Sequence, residues 1–146
     1  MAPAIVLIFA SRSSCVAPVH SDVEIETAIT ALGREPGGGL VVLPDLFMVA
    51  HRAPILSAAV RSRAPAVYVN SDFVRGGGLL SYGVDTVDPW RRAASYVDRI
   101  LRGAKPGDLP VQFPTKFEMV VNRKTAKALG LAIPPSFLLR AVVVIE

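Results

Sequence analysis

The chain has 146 residues, 51% of them hydrophobic and 19% charged, with a mean hydropathy of +0.44. That length suits one domain and not two full α/β lobes, and that apolar share excludes a disordered chain, which needs low hydrophobicity and high net charge. The net charge of +4 is uneven: residues 1–90 carry six basic and eight acidic side chains, residues 91–146 ten and four.

Ala4–Ala10 is the longest uninterrupted apolar stretch, far short of the ~20 residues of a membrane span. No Lys or Arg precedes it, so it reads as a short buried strand and not as an export signal. Cys15 is the single cysteine. It excludes an internal disulfide and a cysteine-rich metal site, and with no base beside it reads as inert. Residues 16–19 are a short strand. Ser21-Asp22-Val23-Glu24 matches a capping box, and Ile25, Ala28, Ile29 and Leu32 then form one apolar helix face. Gly33 and Pro36-Gly37-Gly38-Gly39 end that helix. Leu40-Val41-Val42-Leu43 is a continuous apolar run, expected of a parallel strand buried on both faces.

A second helix is expected over residues 50–63, with Pro54 tolerated in its first turn. Ala66-Val67-Tyr68-Val69 is the next strand, and residues 71–75 a helical turn. Leu79-Leu80-Ser81-Tyr82 is a fourth strand, closed by Gly83. Asp88-Pro89 predicts a helix start, an N-cap carboxylate followed by Pro at the first helical position. Trp90, Ala93, Ala94, Val97, Ile100 and Leu101 keep one face of that helix apolar until Gly103. Residues 117–121 read as a strand, Asn122 as the cap of a helix over 123–129, and residues 141–145 as a last strand.

Alternating strands and helices imply an α/β fold, a layered, mostly parallel sheet flanked by helices. In such sheets ligands bind beyond the carboxyl ends of the strands. The residues there are Pro44-Asp45, Asn70-Ser71-Asp72 and Gly83-Val84-Asp85. Asp45 and Asp85 can receive a ligand amine or hydroxyl, or serve as helix caps. Asn70 offers four hydrogen-bonding sites, and Tyr82 a ring and a hydroxyl. His20 and His51 have no carboxylate or cysteine at metal-ligand spacing and read as surface or capping histidines. No nucleophile elbow, phosphate loop or dinucleotide loop is present. Gly37-Gly38-Gly39 and Gly76-Gly77-Gly78 precede strands and read as turns. The residues therefore point away from an enzyme, and they imply no cofactor and no metal.

Several motifs carry a family resemblance. They are Gly77-Gly78-Leu79-Leu80-Ser81-Tyr82-Gly83, Leu109-Pro110-Val111, Pro114-Thr115-Lys116-Phe117-Glu118 and Lys124-Thr125-Ala126-Lys127-Ala128-Leu129-Gly130-Leu131. Upstream, Gly38-Gly39-Leu40-Val41-Val42-Leu43-Pro44-Asp45 and Pro65-Ala66-Val67-Tyr68 fit the same pattern. Over residues 16–140 the chain resembles the C-terminal part of the ABC transporter substrate-binding proteins, in the branch described as tryptophan/tyrosine-type. The resemblance implies one lobe of a type I periplasmic-binding-protein fold plus a crossover helix, with the first lobe absent. It divides the chain into an unmatched segment 1–15, a second-lobe region 16–87, a crossover helix and connection 88–108, and a returning strand with a helical tail 109–146.

It further implies a non-enzymatic protein of the periplasm that captures a small organic solute such as an amino acid and passes it to an ABC permease. Carried over by position, the ligand-binding candidates are Pro44, Asp45, Asn70, Ser71, Tyr82, Gly83 and Asp85. Half a cleft encloses little ligand, so binding by this chain alone is expected to be weak. The alternative is an effector-binding or self-associating α/β module. Its contact surface would be the Trp90-Val97-Leu101 helix face or a sheet edge.

Overall fold

A computed structural model describes residues 4–10, 13–34 and 37–146; side chains are described from residue 16 onward. The reading placed on Pro36 lies outside the described residues, as does that on the Cys15 side chain. Seven strands form one sheet: β1 (Ala4–Ala10), β2 (Ser13–Val19), β3 (Gly39–Val42), β4 (Ala66–Tyr68), β5 (Leu80–Val84), β6 (Phe117–Asn122) and β7 (Val143–Ile145). Their order across the sheet is β2-β1-β3-β4-β5-β6-β7. The central strands β3, β4 and β5 run parallel. β1 is antiparallel to both of its neighbours, β2 and β3. β6 is antiparallel to β5 and parallel to β7.

The helices are α1 (Asp22–Leu32), α2 (Leu46–Ala50), α3 (Arg52–Arg61), α4 (Ser71–Arg75), α5 (Val87–Leu101), α6 (Arg123–Ala128) and α7 (Pro135–Leu138). A capping box starts α1, as the Ser-x-x-Glu spacing predicts. Ser21 Oγ accepts from Glu24 N at 3.3 Å, while Glu24 Oε2 reaches back to His20 N at 2.8 Å. His20 also lowers the Glu24 carboxyl pKa, chiefly through that backbone hydrogen bond.

The core lies between the sheet and α1, α3 and α4. Ile25 and Ile29 of α1, Ile55 of α3 and Phe73 and Val74 of α4 meet Leu40, Val42, Ala66 and Tyr68 of the sheet. Tyr68 and Phe73 stack with centroids 4.8 Å apart. Burial pushes the Tyr68 hydroxyl pKa well above its ordinary value.

Several expectations need correction. β3 is not buried on both faces: burial alternates along β3 and β4, with Val41 and Val67 only half-covered. The cause is that α1, α3 and α4 all lie on the same side as Leu40, Val42 and Tyr68. Among the strands whose side chains are described, both faces are covered at β6, where residues 119–122 are buried in succession. The expected helix over 50–63 is α3, and a further short helix, α2, which the sequence reading lacked, precedes it and meets it at His51. Gly83 does not close β5 but lies inside it. Asp88 is not the cap of α5. Asp85 Oδ1 accepts from Val87 N at 2.8 Å and Asp88 N at 3.3 Å, which moves the start of the helix upstream.

Candidate functional site

Because β3, β4 and β5 are parallel, their carboxyl ends share one edge of the sheet. Each end hands the chain to a helix through a polar cap. Asp45 Oδ1 accepts from Phe47 N at 2.7 Å and starts α2. Asn70 Oδ1 accepts from Asp72 N at 2.8 Å and starts α4. Asp85 does the same for α5. These side chains satisfy free amides of a first turn, the local reason for a short polar residue at each place.

Between the first two ends lies a hollow of about 310 Å³, lined by Leu43, Pro44, Asp45, Leu46, Val49 and Asn70, among others. That volume is at the lower limit of small-molecule sites. The hollow joins Pro44, Asp45 and Asn70. Its apolar wall is Leu46 and Val49, 87% and 45% exposed. These two residues escaped the sequence reading because it placed no helix before residue 50 and so missed α2. The signal was an aspartate followed by Leu-Phe-Met-Val-Ala, a cap and one apolar turn. Behind the wall, the His51 ring lies tilted by 30° against Phe47 with centroids 4.0 Å apart and pairs through Nδ1 with Asp22.

The other candidates lie elsewhere on the same edge. Ser71 follows Asn70 as the first residue of α4 and is not part of the lining. Tyr82 is 56% exposed and stacks on Phe117, centroids 5.8 Å apart. Gly83 is buried against the end of β4, where an added methyl would drive into the Val69 carbonyl oxygen. Asp85 is engaged as a cap. The hollow thus offers one carboxylate and one amide beside apolar side chains. Among the described residues, no group of three His, Cys, Asp or Glu side chains gathers at metal-binding distance. No helix among them is long and apolar enough to cross a membrane.

Comparison with known proteins adds three structures. The first is an ABC domain in complex with L-Trp from Streptococcus pneumonia, 30% identical, with a TM-score of 0.74 over 87% of this chain and 44% of that one. The second is a conserved domain protein from Vibrio cholerae, 27% identical, with a TM-score of 0.72 over 85% of this chain and 42% of that one. The third is a ligand-free, open substrate-binding protein with adhesive properties from Clostridium difficile, similar in fold at 22% identity. Its TM-score is 0.63 over 88% of this chain and 42% of that one. The chain therefore spans less than half the length of these structures. No curated protein matches. A family model described as ABC transporter substrate binding protein matches residues 14–145. On that match, which covers nearly the whole chain, the protein belongs to the ABC transporter substrate-binding protein family.

Proposed function

We propose that this chain forms one wall of a solute-binding cleft for a small amino-acid-like solute. Its parent is a non-enzymatic, periplasmic protein that delivers the solute to an ABC permease. The observation that carries the reading is the meeting of Pro44, Asp45 and Asn70 at adjacent parallel strand ends. Asp45 uses Oδ1 for its cap, and Oδ2 is assigned to a ligand ammonium. Asn70 supplies an amide to a ligand carboxylate or hydroxyl, and Leu46 with Val49 an apolar floor for a side chain. The complex of a 30%-identical structure with L-Trp supports an amino acid as the solute. In the same reading, residues 16–87 are the second-lobe region, and 88–108 a connection that leaves it. Ser71, Tyr82, Gly83 and Asp85 frame the edge around the hollow.

One wall encloses about half a ligand, so affinity for this chain alone is expected near or above ~1 mM. Titrating the ¹⁵N-labelled chain with amino acids tests this by NMR. The expected result is fast-exchange shifts at Asp45, Leu46, Asn70 and Ser71. No shift for any amino acid rejects the site, and micromolar affinity rejects the half-cleft argument. The outward apolar face of α5, with Trp90 77% and Leu101 81% exposed, is in this reading the face that the rest of the parent covers, because the chain spans 42% and 44% of two of its relatives.

A further inference from the structure

α2 is five residues long, and a helix that short does not stand in water by its own backbone bonds. Val49 N donates to Asp45 O at 3.1 Å and His51 N to Phe47 O at 2.9 Å, which closes a single turn. Its place beside the strand ends therefore rests on its anchors. The Asp45 cap holds its start. Met48, 1% exposed, holds its inner side in the core. Its end is held by His51.

His51 joins three helices. Its backbone ends α2 and starts α3, where Ile55 N donates to His51 O at 3.2 Å. A polar residue at the start of a helix ordinarily caps it, as Ser21, Asp45 and Asn70 do. His51 makes no side-chain cap bond to α3. Its ring lies instead against Phe47, and its Nδ1 reaches Asp22, 29 residues away in the first turn of α1. A carboxylate only accepts, which places a proton on Nδ1 and leaves Nε2 outside the pair. The first turn of α1 is a fixed point: the capping box starts it, and Ile25 and Ile29 behind it are fully buried. The pair itself is 32% and 58% exposed, so it adds little to the stability of the whole fold. Its effect is local, because a one-turn element opens by breaking few contacts.

We propose that His51 is a positioning residue of the solute wall: the Asp22 bond and the Phe47 contact hold α2 where Leu46 and Val49 line the hollow. The proposal rests on the reading of that hollow as a solute site, and the hold on α2 is measured without solute.

Amide hydrogen exchange of the ¹⁵N-labelled chain, followed by NMR, tests the hold. His51→Phe keeps a ring and loses the nitrogen, and Asp22→Ala loses the acceptor. His51→Asn loses the ring but keeps an N–H donor as many bonds from the backbone as Nδ1. The Phe47 and Val49 amides are expected to exchange about fivefold faster in the first two variants and no faster in the two combined. In His51→Asn they are expected to stay within about twofold of the wild type. The Ile25 and Ile29 amides are expected to be unchanged throughout. Titration with the amino acid that shifts the wild type most is expected to show affinity falling about fivefold in the two breaking variants and returning in His51→Asn. Phe47 and Val49 exchange that ignores both breaking variants overturns the proposal. So does exchange that rises equally at Ile25 and Ile29, where the loss is of the whole fold. Faster exchange with undiminished affinity overturns the positioning role. If no amino acid shifts the wild type while both variants free α2, the hold on α2 stands and the solute reading alone fails.

Discussion

Asp45, Asn70 and Asp85 each bind the amides of a first helical turn. A side chain at such a place is held by its cap, so a ligand meets it in one orientation. The sequence made all three legible as strand-end residues, because a buried apolar run followed by a short polar residue marks the exit of a parallel strand. It did not reveal that Asp45 and Asn70 share a hollow while Asp85 does not. That depends on how far α2 leans across the edge, which no local pattern records. Gly83 shows a different limit. It reads as a strand terminator, since glycine is a poor strand residue, yet it lies mid-strand because the Val69 backbone passes where a side chain would stand. Gly83→Ala is therefore expected to lower stability by about 1–3 kcal/mol through overpacking, read from the midpoint of urea unfolding. A variant as stable as the parent would show that β4 and β5 can part at no cost.

The elements were read best where sequence periodicity and tertiary burial agree. α1 has its box, its apolar face and its glycine, and all three hold in the structure. α5 has the strongest periodicity, but its apolar face points out and its polar face in, so the pattern located the helix and not its partner. Its start was misplaced because Asp88-Pro89 imitates a cap, whereas Asp85 does the capping and Asp88 is free to hold Arg92 and Lys116. The Lys116 hydrogen bond, with Arg92 beside it, keeps the Asp88 carboxyl below its ordinary pKa. A depressed carboxylate stabilises the fold fully above its unfolded value of about 4 and loses that contribution as pH falls through the folded value. Thermal unfolding of the wild type and of Asp88→Asn is thus expected to differ at pH 7, with the difference narrowing as pH falls below ~4. A gap that stays constant from pH 7 down to pH 2 would mean the carboxylate charge is irrelevant to the helix anchor.

At the scale of the molecule, composition was informative in a way its first reading did not capture. A 51% hydrophobic chain suggests a large closed core, but part of that apolar surface is not enclosed. One face of β3 and β4 is half-covered, and the apolar face of α5 is bare. The α/β architecture was legible from alternation alone. The place of β1, antiparallel between β2 and β3, was not, because the order of strands is set by pairing between segments far apart in the chain.

The path of α5 through the fold has one more consequence. β5 and β6 are antiparallel neighbours, with Val84 opposite Phe117, and Asp85 N donates to Lys116 O at 3.1 Å. The chain thus leaves the sheet at residue 85 and re-enters beside its own exit at residue 116. Topologically, residues 86–115 are the loop of a β-hairpin. A hairpin needs only two residues to turn, and Asn-Gly suits the twist. Replacing residues 86–115 by Asn-Gly is expected to leave a cooperative unfolding transition and a strand spectrum close to the parent's. A chain that no longer folds would show that α5 belongs to the body of the domain. If the shortened chain folds, α5 is a detachable module, and the sheet that carries the strand-end hollow is a scaffold from which it can be removed or exchanged.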